Sequence, residues 1–297
     1  MWPHCARDRR SLPQTGDSWL LPPDAQSVQC RLVNAILRGA DLPDLGVVDV
    51  RTPAPDVAIA LTRGQAAKRY EHVDPNEDVV AVDRRDGRTA LIVADGHNGH
   101  QASHAAVDAL LSQMQPEIPL WSRVEAVRSF HAVNEHIREV RRPLPPSHRG
   151  TRTTLTAAVV AIDEHGQRYV THCSVGDSAV VVVRDGSVHQ LTRDRHRFLG
   201  DALTAPLLAG VIDYEQTDLD PDDVVVLFTD GYSNFAPLDA ISGARDPDPE
   251  VMARRIVAIA GEGGAGDNVA VAVLAAPAAM ADRDDEPTPI APTPPGT

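Results

Sequence analysis

Short apolar runs punctuate the middle of this chain. Runs at 57–61, 79–82, 90–94, 155–162, 169–175, 180–183, 188–191, 224–228 and 269–274 are rich in Val, Ile, Leu and Ala. Their length and turn-bounded spacing predict strands. Asp86 and Gly87 read as the turn between the second and third runs, and Arg184-Asp185-Gly186-Ser187 as a hairpin between 180–183 and 188–191. Two segments carry a helical period instead. Residues 101–114 place Ala102, Ala105, Ala106, Ala109 and Leu110 on one side, and 123–140 do the same with Val124, Val127, Val133, Ile137 and Val140. A third helix is predicted over 249–260. Strands follow strands and helices arrive in pairs, which is the pattern of an α+β fold with antiparallel sheets.

The flanks differ in composition. Residues 1–54 are sprinkled with Pro and Asp, carry one helix-like stretch at 28–37, and read as an N-terminal extension of uncertain order. Residues 55–276 read as the main domain. Residues 277–297 run through Asp282-Arg283-Asp284-Asp285-Glu286 into Pro-Thr-Pro sequence and are expected to be a disordered tail.

Charge narrows the function classes. The 297-residue chain has a formal net charge of −14, so it lacks the basic footprint of a nucleic-acid binder or of a partner for anionic membranes. An acidic balance suits a cation site, provided that the carboxylates converge. The three cysteines, Cys5, Cys30 and Cys173, are widely spaced and imply no disulfide framework or zinc ribbon. Cys173 reads as inert core. No apolar run approaches the ~20 residues of a membrane span, and the first residues lack the pattern of a signal peptide. A cytoplasmic monomer is the expectation.

The candidate chemistry lies at strand ends. Asp95 follows the run 90–94 and opens Asp95-Gly96-His97-Asn98-Gly99. Asp177 follows Ser174-Val175-Gly176, and Asp230 follows 224–228 and precedes Gly231. Asp267 precedes 269–274, while Glu77 and Asp78 precede 79–82. An apolar strand ending in Asp-Gly aims a carboxylate off the sheet edge, and the glycine lets another backbone approach. One such turn means little. Several in one acidic domain can hold hard cations such as Mg²⁺ or Mn²⁺ through oxygen ligands. The histidines at 97, 100 and 104 have a spacing that can bind zinc, but such residues are ordinary on a helix face.

Together these pieces resemble the metal-dependent protein phosphatases, the type 2C serine/threonine family. The matching motifs are Asn76-Glu77-Asp78, Asp95-Gly96-His97-Asn98-Gly99, Gly150-Thr151-Arg152-Thr153-Thr154, Val175-Gly176-Asp177-Ser178 with Leu191-Thr192-Arg193-Asp194, Phe228-Thr229-Asp230-Gly231, and Gly266-Asp267-Asn268. They occur in the family's order. The resemblance implies an αββα sandwich of two antiparallel sheets flanked by helices. It implies hydrolysis of phosphoserine and phosphothreonine in proteins by a metal-activated water, with no covalent phosphoenzyme. It also implies two Mn²⁺ or Mg²⁺ ions and a weaker third. Asp95 is implied to bridge the ions with the Gly96 carbonyl beside it. Asp230 and Asp267 are implied to hold the first ion, Glu77 and Asp78 the second, and Asp177 the third. His97 is implied to protonate the leaving oxygen.

Two departures stand out. Val73 takes the position at which the family's arginine grips the phosphate, so Lys68 and Arg69 become the candidate substrate-binding cations. The stretch 191–207 is short where many bacterial members insert a flap, which predicts an open cleft. Loss of the arginine favours a phosphoprotein-binding module without hydrolysis. Retention of Asp95, Asp230 and Asp267 argues against that, because unused buried carboxylates repel one another. A two-metal hydrolase of small phosphate esters is the other alternative.

Overall fold

The computed structural model describes residues 33–275 apart from 86, 115–121 and 194. By contacts the chain divides into Met1–Cys30, wholly outside the described residues, and Arg31–Thr297. The tail expected at 277–297 also lies outside them.

The described chain begins with β1 (Val33–Arg38), β2 (Val48–Ala54), β3 (Val57–Thr62), β4 (Val79–Arg85), β5 (Arg88–Ala94) and β6 (Gly96–His97). Two long helices follow, α1 (Gln101–Gln113) and α2 (Arg123–Arg141). Then come β7 (Arg152–Thr153), β8 (Leu155–Ile162), β9 (Arg168–Val175), β10 (Ala179–Arg184) and β11 (Ser187–Gln190). After α3 (Ala205–Val211) and β12 (Asp213–Leu219) the chain closes with β13 (Val224–Phe228), α4 (Asp230–Ser233), α5 (Ala240–Gly243), α6 (Pro249–Glu262) and β14 (Val269–Leu274).

The first sheet has the order β1-β4-β5-β8-β9-β12 and the second β11-β10-β13-β14-β3-β2, both antiparallel. Period-2 alternation sorts their side chains into layers. In β4, Val80 and Val82 face the second sheet and pack with Ile59, Leu61, Val180, Leu227 and Ala272. Val79 and Ala81 point the other way, onto Ala106 and Leu110 of α1 and Phe130 and Val133 of α2. On the far side, α6 lays Met252, Ile256 and Ala260 over Val181, Val226 and Val271. Both faces of both sheets are therefore covered, which is why the central strands read as continuous apolar runs. The expected αββα sandwich is the fold.

Local chemistry fixes the boundaries. Asp185 and Gly186, at φ 47° and 75°, turn β10 into β11 with Arg184 opposite Ser187. A capping box starts α2: the Ser122 hydroxyl accepts from the Glu125 amide, and the Glu125 carboxylate accepts from the Ser122 amide.

The N-terminal expectation needs correction. Val33–Arg38 is a strand, not part of a helix, and with β2 it supplies an edge to each sheet, so the sandwich begins well before residue 55. Ala35 and Leu37 are buried and Asn34 is exposed, a period of two set by pairing with β4. β12 was also invisible: its sequence, Asp-Tyr-Glu-Gln-Thr-Asp-Leu, is too polar to read as a strand, and it pairs only at a sheet edge, with β9.

Candidate active site

The strand ends meet at one end of the sandwich. Val79 pairs with Ala94, which brings Asp78 and Asp95 to the same edge of the first sheet. Phe228 pairs with Val271, placing Thr229 and Asp230 near Asn268 and Asp267 in the second. Side-chain oxygens of Asp95, Asp177 and Asp230 lie within 4.8 Å of one another. Asp95 is buried, whereas Asp177 and Asp230 are partly open to solvent.

A frame of hydrogen bonds holds these carboxylates. The Thr154 hydroxyl accepts from the Asp95 amide at 3.0 Å, and the Thr153 hydroxyl donates to the Asp95 carbonyl at 2.8 Å. Thr151 donates to the Gly99 carbonyl at 2.7 Å. Residues 150–154 thus fix the Asp95 turn, a role that spacing alone does not reveal. Thr229 donates to Asp78 at 2.8 Å, and the Asn234 amide to Asp230 at 2.9 Å. The Asn268 side chain accepts from the Glu77 amide at 2.9 Å and donates to the carbonyls of Arg63 and Pro75, tying the 63–77 loop to β14.

The glycines allow close approach. A Cβ on Gly96 would stand 2.4 Å from the Glu77 carbonyl, and one on Gly231 would stand 1.8 Å from that of Asn268. Gly231→Ala must push the backbones at Gly231 and Asn268 apart. The expected outcome is a destabilisation of about 1–3 kcal/mol, typical of overpacking. Denaturant unfolding measures it, and a wild-type midpoint would contradict the packing described.

Electrostatics explain what this cluster needs. Burial, and then the charge of Asp230, pushes Asp95 well above the usual carboxylate range. Burial, and then the charge of Asp95, does the same to Asp78. Burial followed by the charge of Asp267 raises Asp230 to about 6. One oxygen each of Asp78 and Asp177 is buried without a hydrogen-bond partner. Crowded, desolvated carboxylates with orphaned oxygens fit a hard divalent cation, which would neutralise them.

The raised pKa of Asp230 has a sign that stability should follow. The folded state holds a proton on Asp230 that the unfolded state has released above about 4. Chelated protein should therefore lose stability as pH rises from about 4 to about 6. Melting temperatures taken across that range with a chelator should fall, and added Mn²⁺ should remove the fall. A rise with pH in the chelated protein would contradict the crowding.

Lys68 is placed differently from expectation. Its side chain is only 2% exposed, and its ammonium lies 3.4 Å from Glu77 and 3.3 Å from Asp267. Burial pulls its pKa down, but the charges of Asp267, Asp78, Glu77 and Asp95 outweigh that and raise it. An ammonium so held is a counter-charge for the carboxylates and is committed to them. Tyr70 donates to the same Asp267 carboxylate at 2.8 Å. Arg69 is exposed, and nothing ties it to the cluster.

Glu77 also differs. One of its oxygens accepts from the amides of Gly99 and Asp74 at 2.6 and 3.2 Å, and the other faces Lys68. An ion bound through Glu77 must compete with that ammonium.

His97 lies on β6 with its Nε2 3.3 Å from Asp95, yet that nitrogen has no aligned hydrogen-bond partner. The ring rests edge-on against Phe198, with centroids 4.5 Å apart. The segment between β11 and β12, short as it is, therefore reaches the site through Phe198. His100 bonds instead to Asp74 at 2.7 Å and packs its ring against that of His104, with centroids 4.6 Å apart, and the three histidines form no metal-binding group among the described residues. Cys173 is buried, and burial drives its thiol pKa far up, as suits an inert core residue.

No helix of the described residues is long and apolar enough to cross a membrane. The family pattern described as Protein phosphatase 2C matches residues 66–256, which contain every candidate site residue except Asp267. Among curated proteins none matches. Solved structures do. The MsPP serine/threonine phosphatase of Mycobacterium smegmatis, crystallised with cacodylate, is 27% identical over 74% of this chain and 98% of its own, with a TM-score of 0.55. The Mycobacterium tuberculosis phosphatase PstP is 24% identical over 76% and 98%, with a TM-score of 0.57. A serine/threonine phosphatase of S. agalactiae is 20% identical over 76% and 98%, with a TM-score of 0.61. The fold, the converging carboxylates and the match over most of the chain agree: the chain belongs to the protein phosphatase 2C family, the metal-dependent serine/threonine protein phosphatases.

Proposed function

We propose that Asp95, Asp230 and Asp267, with the Gly96 carbonyl, hold a first Mn²⁺ or Mg²⁺ ion. Asp78 and Glu77, together with Asp95, would hold a second against competition from Lys68, and Asp177 would serve a third. PstP has been crystallised with two manganese ions, which supports this assignment for a chain of the same fold. Ions held there would supply Lewis-acid activation of a water and stabilisation of charge at phosphorus.

The chain's own residues do the rest. Thr153 and Thr154 keep Asp95 from shifting as charge builds. His97, braced by Phe198 and with its Nε2 uncommitted, gives a proton to the departing Ser or Thr oxygen. The substrate is a phosphorylated protein, reached from the solvent-open side of Asp177 and Asp230. The protein works as a cytoplasmic monomer.

The convergence of Asp95, Asp177 and Asp230 carries this reading. Phosphate release from a phosphothreonine peptide, from a phosphoprotein and from a small phosphate ester, each with Mn²⁺ and with chelator, tests it. Metal-dependent release favouring the peptide and protein is the expected result. Binding of the phosphopeptide without release, or preference for the small ester, would overturn it.

A further inference from the structure

A phosphate dianion arriving beside this many carboxylates needs a cation besides the metals, and a guanidinium offers two parallel N–H donors to it. Lys68 is committed to Glu77 and Asp267, Arg69 is exposed, and Val73 is apolar. We propose that Arg152 is the residue that grips the substrate phosphate. The proposal rests on the phosphatase reading above and names a binding residue within it.

Four observations converge on Arg152. It lies on β7 directly opposite His97 of β6, and directly opposed residues of an antiparallel pair project to the same face of the ribbon. Its guanidinium stacks on the Phe198 ring at 4.3 Å, the ring that also braces His97. Its Nε is buried and has no hydrogen-bond partner. Its neighbours Thr153 and Thr154 are bonded to the backbone of Asp95, so its position relative to the carboxylates is fixed.

Other partly buried arginines are paired with carboxylates. Arg38 is paired with Asp108, Arg84 with Asp56, and Arg184 with Asp223. Arg152 makes no ion pair among the described residues, and it rests on an aromatic face. A guanidinium desolvated on one side, with an unmet N–H, on the same ribbon face as the leaving-group acid, is preorganised for an anion. The resulting clamp holds phosphate between the carboxylate-bound ions on one side and Arg152 on the other. Phe198, from the segment between β11 and β12, acts as the platform that sets the angle.

Arg195 is the internal comparison, because its Nε is also buried without a partner while its amide bonds to the Gly176 carbonyl, beside Asp177. The test measures inorganic phosphate binding to Mn²⁺-loaded protein by calorimetry, together with KM and kcat on a phosphothreonine peptide. The variants are Arg152→Met, Arg152→Lys and Arg195→Met. Met keeps an apolar stem on Phe198 and so protects the fold, which a melting curve checks. Arg152→Met should weaken phosphate binding and raise KM by about 10–100-fold, the worth of a charge-assisted hydrogen-bond pair. Mn²⁺ affinity should not change, and Lys should restore only part of the loss. Unchanged phosphate affinity in Arg152→Met, or the same loss in Arg195→Met alone, overturns the assignment. Phosphate binding is read without turnover, so an inactive wild type would defeat the phosphatase reading while leaving this measurement decisive for Arg152.

Discussion

Asp95→Asn should lose several orders of magnitude in kcat on a phosphothreonine peptide, the largest effect of any single substitution here. Asp95 is buried and lies within reach of Asp177 and Asp230, and it is the position assigned to both ions. Asparagine keeps the shape and removes the charge. Metal activation of water is worth several kcal/mol, and each 1.36 kcal/mol is a factor of ten in rate. A melting curve separates this loss from unfolding. The carboxyl at 95 is already pushed well above its ordinary range by burial and by Asp230, so a neutral side chain relieves repulsion in the metal-free protein. The chelated variant should therefore melt no lower than chelated wild type, and it should bind Mn²⁺ more weakly by calorimetry. Near-wild-type turnover in saturating Mn²⁺ would remove Asp95 from the mechanism.

His97→Ala is the second large effect, and it is selective. General acid catalysis is typically worth about 10²–10⁴-fold. An alkoxide leaving from serine or threonine needs that proton, whereas nitrophenolate leaves with little help. The variant should lose about that factor on phosphopeptide and far less on p-nitrophenyl phosphate. The geometry supports the acid role because Nε2 stands 3.3 Å from Asp95 without an aligned hydrogen bond, so that nitrogen is not committed to a neighbour. Equal losses on the two substrates would instead give His97 a positioning role, exerted through Asp95.

Much of this was legible in the sequence, for reasons that can be named. The strands β8, β13 and β14 match their apolar runs residue for residue, because strands covered on both faces must be apolar throughout. The carboxylates were legible because each follows or precedes such a run, Asp95 and Asp230 in Asp-Gly turns. The edges were hidden. β1 and β12 are half-exposed, and their identity comes from partners distant in sequence. Lys68 differs for a similar reason: as a candidate phosphate-binding cation it had to be free, and only the fold shows it buried between Glu77 and Asp267. Phe198 and Arg152 are 46 residues apart and become one stack only through the pairing of Leu199 with Thr153. No local pattern encodes that contact.

Anomalous scattering at the manganese edge shows whether the strand-end carboxylates form a divalent-cation site. Crystals of the wild-type protein equilibrated with Mn²⁺ should show a peak among the carboxylates of Asp95, Asp177 and Asp230, and crystals of Asp95→Asn a weaker one. A map without a peak there, from crystals in which the peptide phosphatase assay has shown the protein to be active, would contradict the account.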